Sequence, residues 1–408
     1  MRRGQNASSI RQENRRLVLA EIRNRSGVSR AELSHFIGLS KGGLTPIVQE
    51  LLELGLIQEQ ARLSEGTGRR PVGLTICPDR CTCLSLDWSR RGIEGALVDF
   101  SGTILTTRRI LFRKDEPLAE ALEQLRGLGA DLLAQAGSTP VVGVGLVAPG
   151  PIHPDTGMIL SPPHFHGWRD IPVKQVLESA FSLPVWVENN SRAHALAERD
   201  YGVGKVLSSF FHIVVDEGIG GALVLEGLVS SGAHGMGGEI GHVSLDLNGP
   251  RCPCGNQGCA ELYASVPRLV EWVNRQKQGL LLAGQESGPL EVSWEQLLIL
   301  LREGDSNCLL AMEREACTLG RLLVSLWNLL DPEAIVIGSQ LAQAGDDFLI
   351  PLHKWIEGKA MGGTTPRVLL SSLEHPALLG GAAGVWEQFL SGKLGEYERI
   401  LSLKDTPR

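Results

Sequence analysis

No stretch of this chain stays apolar for the ~20 residues that a membrane helix needs. The N-terminus, Met1-Arg2-Arg3-Gly4-Gln5-Asn6, lacks the apolar core of a signal peptide. These absences argue against a membrane protein and make the cytoplasm the expected location. Cysteine is sparse, with 8 in 408 residues and three of them in one short run, which is not the pattern of a disulfide framework. No internal repeat is obvious. Compositional extremes are missing too: 43% hydrophobic and 21% charged is ordinary soluble globular material. At 408 residues the chain is long enough for two or three domains, each with its own core.

Charge is unevenly placed. Residues 1–72 hold 12 Lys and Arg against 7 Asp and Glu, a net of +5, while the remainder holds 27 against 39. A basic N-terminal piece on an acidic body points to a nucleic-acid partner for the first piece only. Three helices are predicted before residue 56. The first spans about Ser9–Arg25, with an apolar stripe of Ile10, Leu17, Val18 and Ile22. The second opens on Ser29, with Glu32 completing a capping box, and stops at Gly38. The third runs from Ser40 to Leu54 through an awkward Pro46. Short helix, tight turn and longer helix make a helix-turn-helix. Strands at Leu56-Ile57 and Val72–Ile76 would flank a wing containing Gly66–Pro71. In such a winged helix Ser40, Lys41 and Thr45 face the major groove, and Arg69 and Arg70 suit a narrow, A·T-rich minor groove. The plainer alternative is a helical protein-interaction module with a solvated basic loop.

Beyond about Cys77, strands and helices alternate as in an α/β protein. Strands are expected at Leu84–Asp87, Gly95–Asp99, Ile104–Ile110, Val141–Val147, Val185–Val187, Phe210–Val215, Gly221–Leu225 and Ala334–Gly338. The densest chemistry lies later. Cys252, Cys254 and Cys259 fall within eight residues, and His242 precedes them by ten. Three thiolates and an imidazole are the donors of a closed tetrahedral zinc site. Gly255 and Gly258 let the backbone fold back so that the sulfurs converge. Glu239 and Glu261 bracket the cluster, and a metal that pins the loop would fix both carboxylates for gripping the hydroxyls of a small polar ligand. A second group, Cys77, Cys81 and Cys83, has no fourth ligand nearby and reads as packing thiols, with a second metal site as the minor alternative.

The segment Glu239-x-Gly241-His242, followed by Cys252-x-Cys254-Gly255-x-x-Gly258-Cys259-x-Glu261-x-Tyr263, resembles the signature of the ROK family of sugar kinases and sugar-responsive repressors. The resemblance implies a zinc ion on His242, Cys252, Cys254 and Cys259. It implies sugar contacts from Asn189, Asn190, Glu239, His242 and Glu261, and a two-lobed actin-like ATPase body over roughly 80–395. Ala148–Pro151 resembles the family's turn beside the sugar. Pro162–Trp168 resembles its Pro-Asn-Leu-x-Gly-Trp loop with His164 in place of Asn, either a specificity residue or loop surface. Family kinases lack the N-terminal piece. Family repressors carry it, with motifs like Ser29–Leu33 and Gly68–Pro71.

The family's kinase parts are altered. Its Asp-x-Gly-x-Thr turn reads Asp87-Trp88-Ser89-Arg90-Arg91 here. Asp216-Glu217 stand before the second phosphate hairpin, where carboxylates would repel phosphate. The Gly-Gly turn near adenine reads Gly338-Ser339, and Asn190 replaces the catalytic carboxylate, which an amide cannot imitate as a base. The expectation is therefore a winged helix-turn-helix (1–76) joined to a ROK small lobe (77–190, with a returning helix at about 375–395) and a large lobe with the zinc loop (191–374). It would act as a sugar-responsive repressor without enzymatic activity. Its partners would be a two-fold-related operator, a sugar or sugar-derivative effector, and further copies of itself in a homodimer or homotetramer. A ROK sugar kinase is the alternative, and a DNA-tethered scaffold with a decayed pocket a third reading. An effector that prefers one angle between the lobes would change operator affinity.

Overall fold

The computed structural model describes residues 7–61, 72–113, 116–162, 168–282 and 291–391. Two compact units are present: residues up to Ala193 together with those from Ala377 onward, and His194–Pro376.

The first unit begins with α1 (Ala7–Asn24), α2 (Arg30–Ile37) and α3 (Lys41–Glu53), followed by the antiparallel pair β1 (Ile57–Ala61) and β2 (Val72–Ile76). The local signals act as their chemistry dictates. Ser29 Oγ accepts from Glu32 N at 3.3 Å while Ser29 N donates to Glu32 Oε2 at 2.7 Å, and Gly38 closes α2 at φ +72. Helix α3 runs through Pro46. The apolar stripe of α1 is narrower than its sequence suggests. Val18, Leu19 and Ile22 are buried, but Ile10 and Leu17 are exposed. Arg15 instead occupies part of the covered face and pairs with Glu50 of α3, which also takes Arg11 at 3.0 Å. Val28, in the turn after α1, bridges to Leu74 of β2. That approach demands glycine at 73, because a Cβ there would lie 2.5 Å from the Gly27 carbonyl oxygen. The Arg80 guanidinium, just past β2, donates to the Leu54 carbonyl at 3.0 Å, and Cys77 N donates to Leu56 O at 2.9 Å.

The same unit continues with β3 (Thr82–Ser89), β4 (Gly92–Asp99), β5 (Ile104–Leu111), α4 (Leu118–Gln135), β6 (Val141–Ala148), α5 (Val173–Phe181), β7 (Val185–Asn189) and α6 (Asn190–Tyr201). The sheet order is β5-β4-β3-β6-β7, an antiparallel meander extended by two parallel strands. Alternation along β3 sorts its side chains. Leu84, Leu86 and Trp88 pack with Leu125, Leu128 and Leu132 of α4. Cys83 shares the opposite core with Leu378, Ala382 and Trp386 of the returning helix α12 (Pro376–Leu390). Each buried leucine contributes roughly 1.5–3 kcal/mol. Cys81 and Cys83 are both fully buried in that core.

The second unit comprises the rest of α6, then β8 (Phe210–Val215), β9 (Ile219–Leu225), β10 (Leu228–Val229), α7 (Glu261–Ala264), α8 (Val266–Leu282), α9 (Trp294–Arg302), α10 (Ser306–Leu330), β11 (Ala334–Gly338), α11 (Asp346–Ile356) and β12 (Val368–Leu370). Its sheet order, β10-β9-β8-β11-β12, repeats the meander-plus-two-parallel plan of the first. Phe211, Ile213 and Val215 of β8 enter the larger core with α8, α10 and α11. On the opposite face, His212 lies 6.1 Å from His194 of α6, ring centre to ring centre.

Both rings are buried, and burial lowers His194 to about 4 and His212 to about 3 from an ordinary 6.5, with His194 also acting on His212. In the unfolded chain these rings take up protons below about 6.5; in the folded chain they resist. Their contribution to stability is therefore complete above 6.5 and is lost as pH falls toward 4, by up to about 1.4 kcal/mol per pH unit per ring. Urea titrations at pH 7.5 and 5.5 should show this decline, and it should shrink in His212→Asn protein. An unchanged slope in that variant would assign the acid sensitivity elsewhere.

Candidate metal centre

The loop between β10 and α7 contains the four clustered residues. Ile240 and Ala260 anchor it in the larger core and Leu245 packs against that core, while Leu247 is 87% exposed and backbone bonds organise the rest. Ile240–His242 forms a single 3-10 turn. Leu245 N donates to Gly258 O at 2.8 Å and Ala260 N to Val243 O at 2.9 Å, so the outgoing and returning halves pair. At the tip Cys252 N donates to Asn256 O at 2.8 Å. Gly255 and Gly258 adopt φ +97 and +66, and a Cβ on Gly258 would lie 1.8 Å from the Asp246 carbonyl oxygen. These are the two turns the sequence requires of glycine.

The donors meet as a result. His242 Nδ1 is 3.7 Å from Cys252 Sγ, Cys254 Sγ is 3.7 Å from Cys259 Sγ, and all four donor atoms lie within 4.8 Å of one another. Burial and the two neighbouring thiols push Cys259 up to about 12, and burial raises Cys252. The exposed Cys254 is lowered, chiefly by the Asn256 backbone N–H. Three thiols so close cannot ionise together unless a cation supplies the opposing charge. The group can hold a metal ion.

Glu261 sits beside it, with Oε1 3.5 Å from His242 Nδ1 and 3.6 Å from Cys252 Sγ. Glu239 is exposed, three residues before His242, and its carbonyl accepts from His242 N at 3.2 Å. In the first unit Asn189 is buried and its Oδ1 accepts from Arg192 N at 2.9 Å, capping α6, while the exposed Asn190 accepts from Ser191 N at 3.0 Å. Glu188 pairs with Arg192, Nε to Oε1 at 2.8 Å, which gives that carboxylate a structural task. In the helix-turn-helix Ser40, Lys41 and Thr45 are all exposed. Two of their hydroxyls also serve the helix: Ser40 Oγ accepts from Gly43 N at 3.2 Å and Thr45 Oγ1 donates to Lys41 O at 2.8 Å. Arg69, Arg70 and His164 lie outside the described residues.

The altered kinase positions are occupied by contacts internal to the protein. Trp88 is buried against Trp168, ring centres 5.2 Å apart. Ser89 Oγ donates to Gly92 O at 3.1 Å and accepts from Arg91 N at 3.3 Å, closing the β3–β4 turn on itself. Sequence reasoning missed a further link, in which Ser339 donates its hydroxyl to Asp216 Oδ2. Ser339 stands at φ +69, ψ −150, backbone suited to glycine, so a serine has been accepted there at a strain cost. The pairing of Asp216 with a glycine-type position was the available signal.

A profile described as "ROK family" matches residues 83–388. The chain belongs to the ROK family. A second profile, winged helix-turn-helix DNA-binding, matches residues 11–58. The xylose repressor of Bacillus spizizenii is 27% identical over 390 residues, covering 93% of this chain and 97% of the repressor. A glucokinase of Halalkalibacterium halodurans is 36% identical over 251 residues, covering 60% of this chain and 74% of the kinase. The crystal structure of a ROK family transcriptional regulator, a homologue of the Escherichia coli Mlc protein, aligns with TM-score 0.79 and 28% identity, over 97% of this chain and all of that one. The kinase match thus leaves out much of this chain, whereas the repressor and regulator matches run through both parts. The two-lobed α/β body with an N-terminal winged helix, expected from the sequence, is the fold observed. No helix among the described residues is long and apolar enough to cross a membrane.

Ser339→Ala keeps the strained backbone and removes the bond to Asp216, so a loss of about 1 kcal/mol is expected in chemical denaturation. Ser339→Gly relieves the backbone and should lose less. Equal losses would show that no strain is held at this turn.

Proposed function

We propose that this protein is a sugar-responsive transcriptional repressor of carbohydrate-related genes, in which a ROK body that binds effector but transfers no phosphate controls a winged helix. The observation that carries this reading is the winged helix-turn-helix profile at 11–58 in the same chain as the ROK profile at 83–388. The absence of kinase activity is supported by Asn190 at the base position and by Asp216 and Ser89, at positions the resemblance associates with phosphate, whose side chains are engaged with Ser339 and the Gly92 carbonyl. Sugar contacts are assigned to Asn189, Asn190, Glu239, His242 and Glu261, with His164 as a specificity residue. DNA contacts are assigned to Ser40, Lys41, Thr45, Arg69 and Arg70. The protein is expected in the cytoplasm as a homodimer or homotetramer on a two-fold-related, A·T-rich operator.

The ion assigned to the cluster is a structural zinc. Zn–S bonds of about 2.3 Å and Zn–N of about 2.0–2.1 Å put tetrahedral sulfurs about 3.8 Å apart and sulfur–nitrogen pairs about 3.6 Å apart. The 3.7 Å separations of Cys254 from Cys259 and of His242 from Cys252 fit that polyhedron. Metal analysis should find one zinc per chain, and Cys254→Ser should lower thermal stability and sugar affinity together. Zinc well below one per chain in carefully purified protein would sink the assignment.

The reading as a whole is tested on operator sites selected from random DNA. Monosaccharides and their phosphates, xylose and glucose first, are screened by thermal shift, and operator binding is titrated with and without the best ligand. A change of roughly 5–150-fold is expected, as for a coupling of about 1–3 kcal/mol. It should disappear in Glu239→Ala protein whose operator binding is intact. Operator affinity indifferent to every stabilising ligand, or robust ATP-dependent phosphorylation of a hexose, would overturn the proposal.

A further inference from the structure

A cavity of about 160 Å³ lies in the second unit, lined by α7, α8 and the middle of α10. None of the residues assigned to sugar, metal or DNA lines it. Its rim is cationic. Arg268 and Arg275 of α8 both reach Glu271, Arg268 at 2.9 Å, and the Arg314 guanidinium of α10 lies over the Trp272 ring at 5.5 Å from its centre. Arg268 and Arg275 thus share the half-buried Glu271 carboxylate, and Arg314 adds a third guanidinium to the rim over Trp272.

Glu315 also lines the cavity and is of another kind. It is 3% exposed, in a helix segment otherwise packed with Met312, Ala316 and Leu319, and its Oε1 has no hydrogen-bond partner. A buried carboxyl oxygen left without a partner is costly, and nothing in the packing of α10 requires it. Burial holds its carboxyl well above the usual range, with the charge of Arg314 opposing. A neutral carboxyl can both donate and accept.

We infer that this cavity is a second small-molecule site, separate from the metal loop, which takes a phosphorylated polyol. Glu315 would meet a hydroxyl, Trp272 would offer its ring to the carbon skeleton, and the rim arginines would hold the phosphate. Guanidinium forks match phosphate oxygens in pairs, which suits this rim better than a cationic or apolar ligand. The inference does not depend on the repressor reading. It has a route to the metal loop all the same: Tyr263 lines the cavity, belongs to the four-residue helix that opens with Glu261, and donates its hydroxyl to Asp246 Oδ2 at 3.2 Å.

The test is isothermal titration calorimetry of the full chain with glucose 6-phosphate, with glucose and inorganic phosphate as comparators. Glucose 6-phosphate should bind about tenfold or more tightly than either. Arg314→Ala and the isosteric Glu315→Gln should each weaken it about tenfold or more, while Arg302→Ala, an exposed position outside the cavity, should leave it within about twofold. Circular dichroism first confirms that each variant is folded. The inference is overturned by no binding at millimolar glucose 6-phosphate, by equal binding of inorganic phosphate, or by folded Arg314→Ala and Glu315→Gln proteins that bind as the parent does. Loss in Glu239→Ala alone would overturn it too, by placing the ligand at the metal loop.

Discussion

Thiols oppose one another's ionisation, and the loop preceding α7 brings three of them and an imidazole to within 4.8 Å. A long, largely solvated segment would not adopt that arrangement for its own sake. Its apolar anchors are few, chiefly Ile240, Leu245 and Ala260, while each ordered residue costs roughly 1–2 kcal/mol of backbone entropy. The bonds between its two halves set its path, and a cation bound at the donor atoms would let the thiols ionise and would lock the halves together. Glu261 follows Cys259 by two residues and begins α7, so its position depends on that closure. The carboxylate lies against the cluster, where any cation adds to the attraction it feels.

Positions where this chain departs from the family's kinase motifs are engaged in contacts within the protein. Such sites are filled by small groups that satisfy one another. Ser89 turns a phosphate-type hairpin into a closed one, and Trp88 behind it is held against a second tryptophan. Asp216 and Ser339 do the same across the ends of β8 and β11. The backbone at Ser339 adopts φ +69, ψ −150, a conformation suited to glycine, so the serine there carries strain.

Much of this was legible in the sequence because the signals are local. Ser29, Glu32 and Gly38 specify α2 whatever surrounds them, and Phe210–Val215 and Ala334–Gly338 are apolar runs buried on both faces, read to the residue. The metal cluster was legible because its four ligands span only eighteen residues. Less legible were features set by distant partners. Ile10 and Leu17 look like core by period but lie outward, because Arg15 and Glu50 claim the covered face. Short strands such as β10 and β12 carry too few residues for any alternation to show. Sequence spacing also cannot anticipate Glu315, a buried carboxyl in the middle of an otherwise apolar helix face.

Arg80 has a mechanical consequence. Its guanidinium holds the carbonyl at the end of the recognition helix, and the Cβ position of Gly55 is only 3.2 Å from its Nε. Together with the Cys77–Leu56 bond, this ties the segment entering β3 back to the end of α3 and the start of β1 at two points. On the proposed repressor reading, a helix tied down in this way would follow the sheet more closely than one on a loose linker. Torque, more than reach, would then be the quantity through which a bound effector acts.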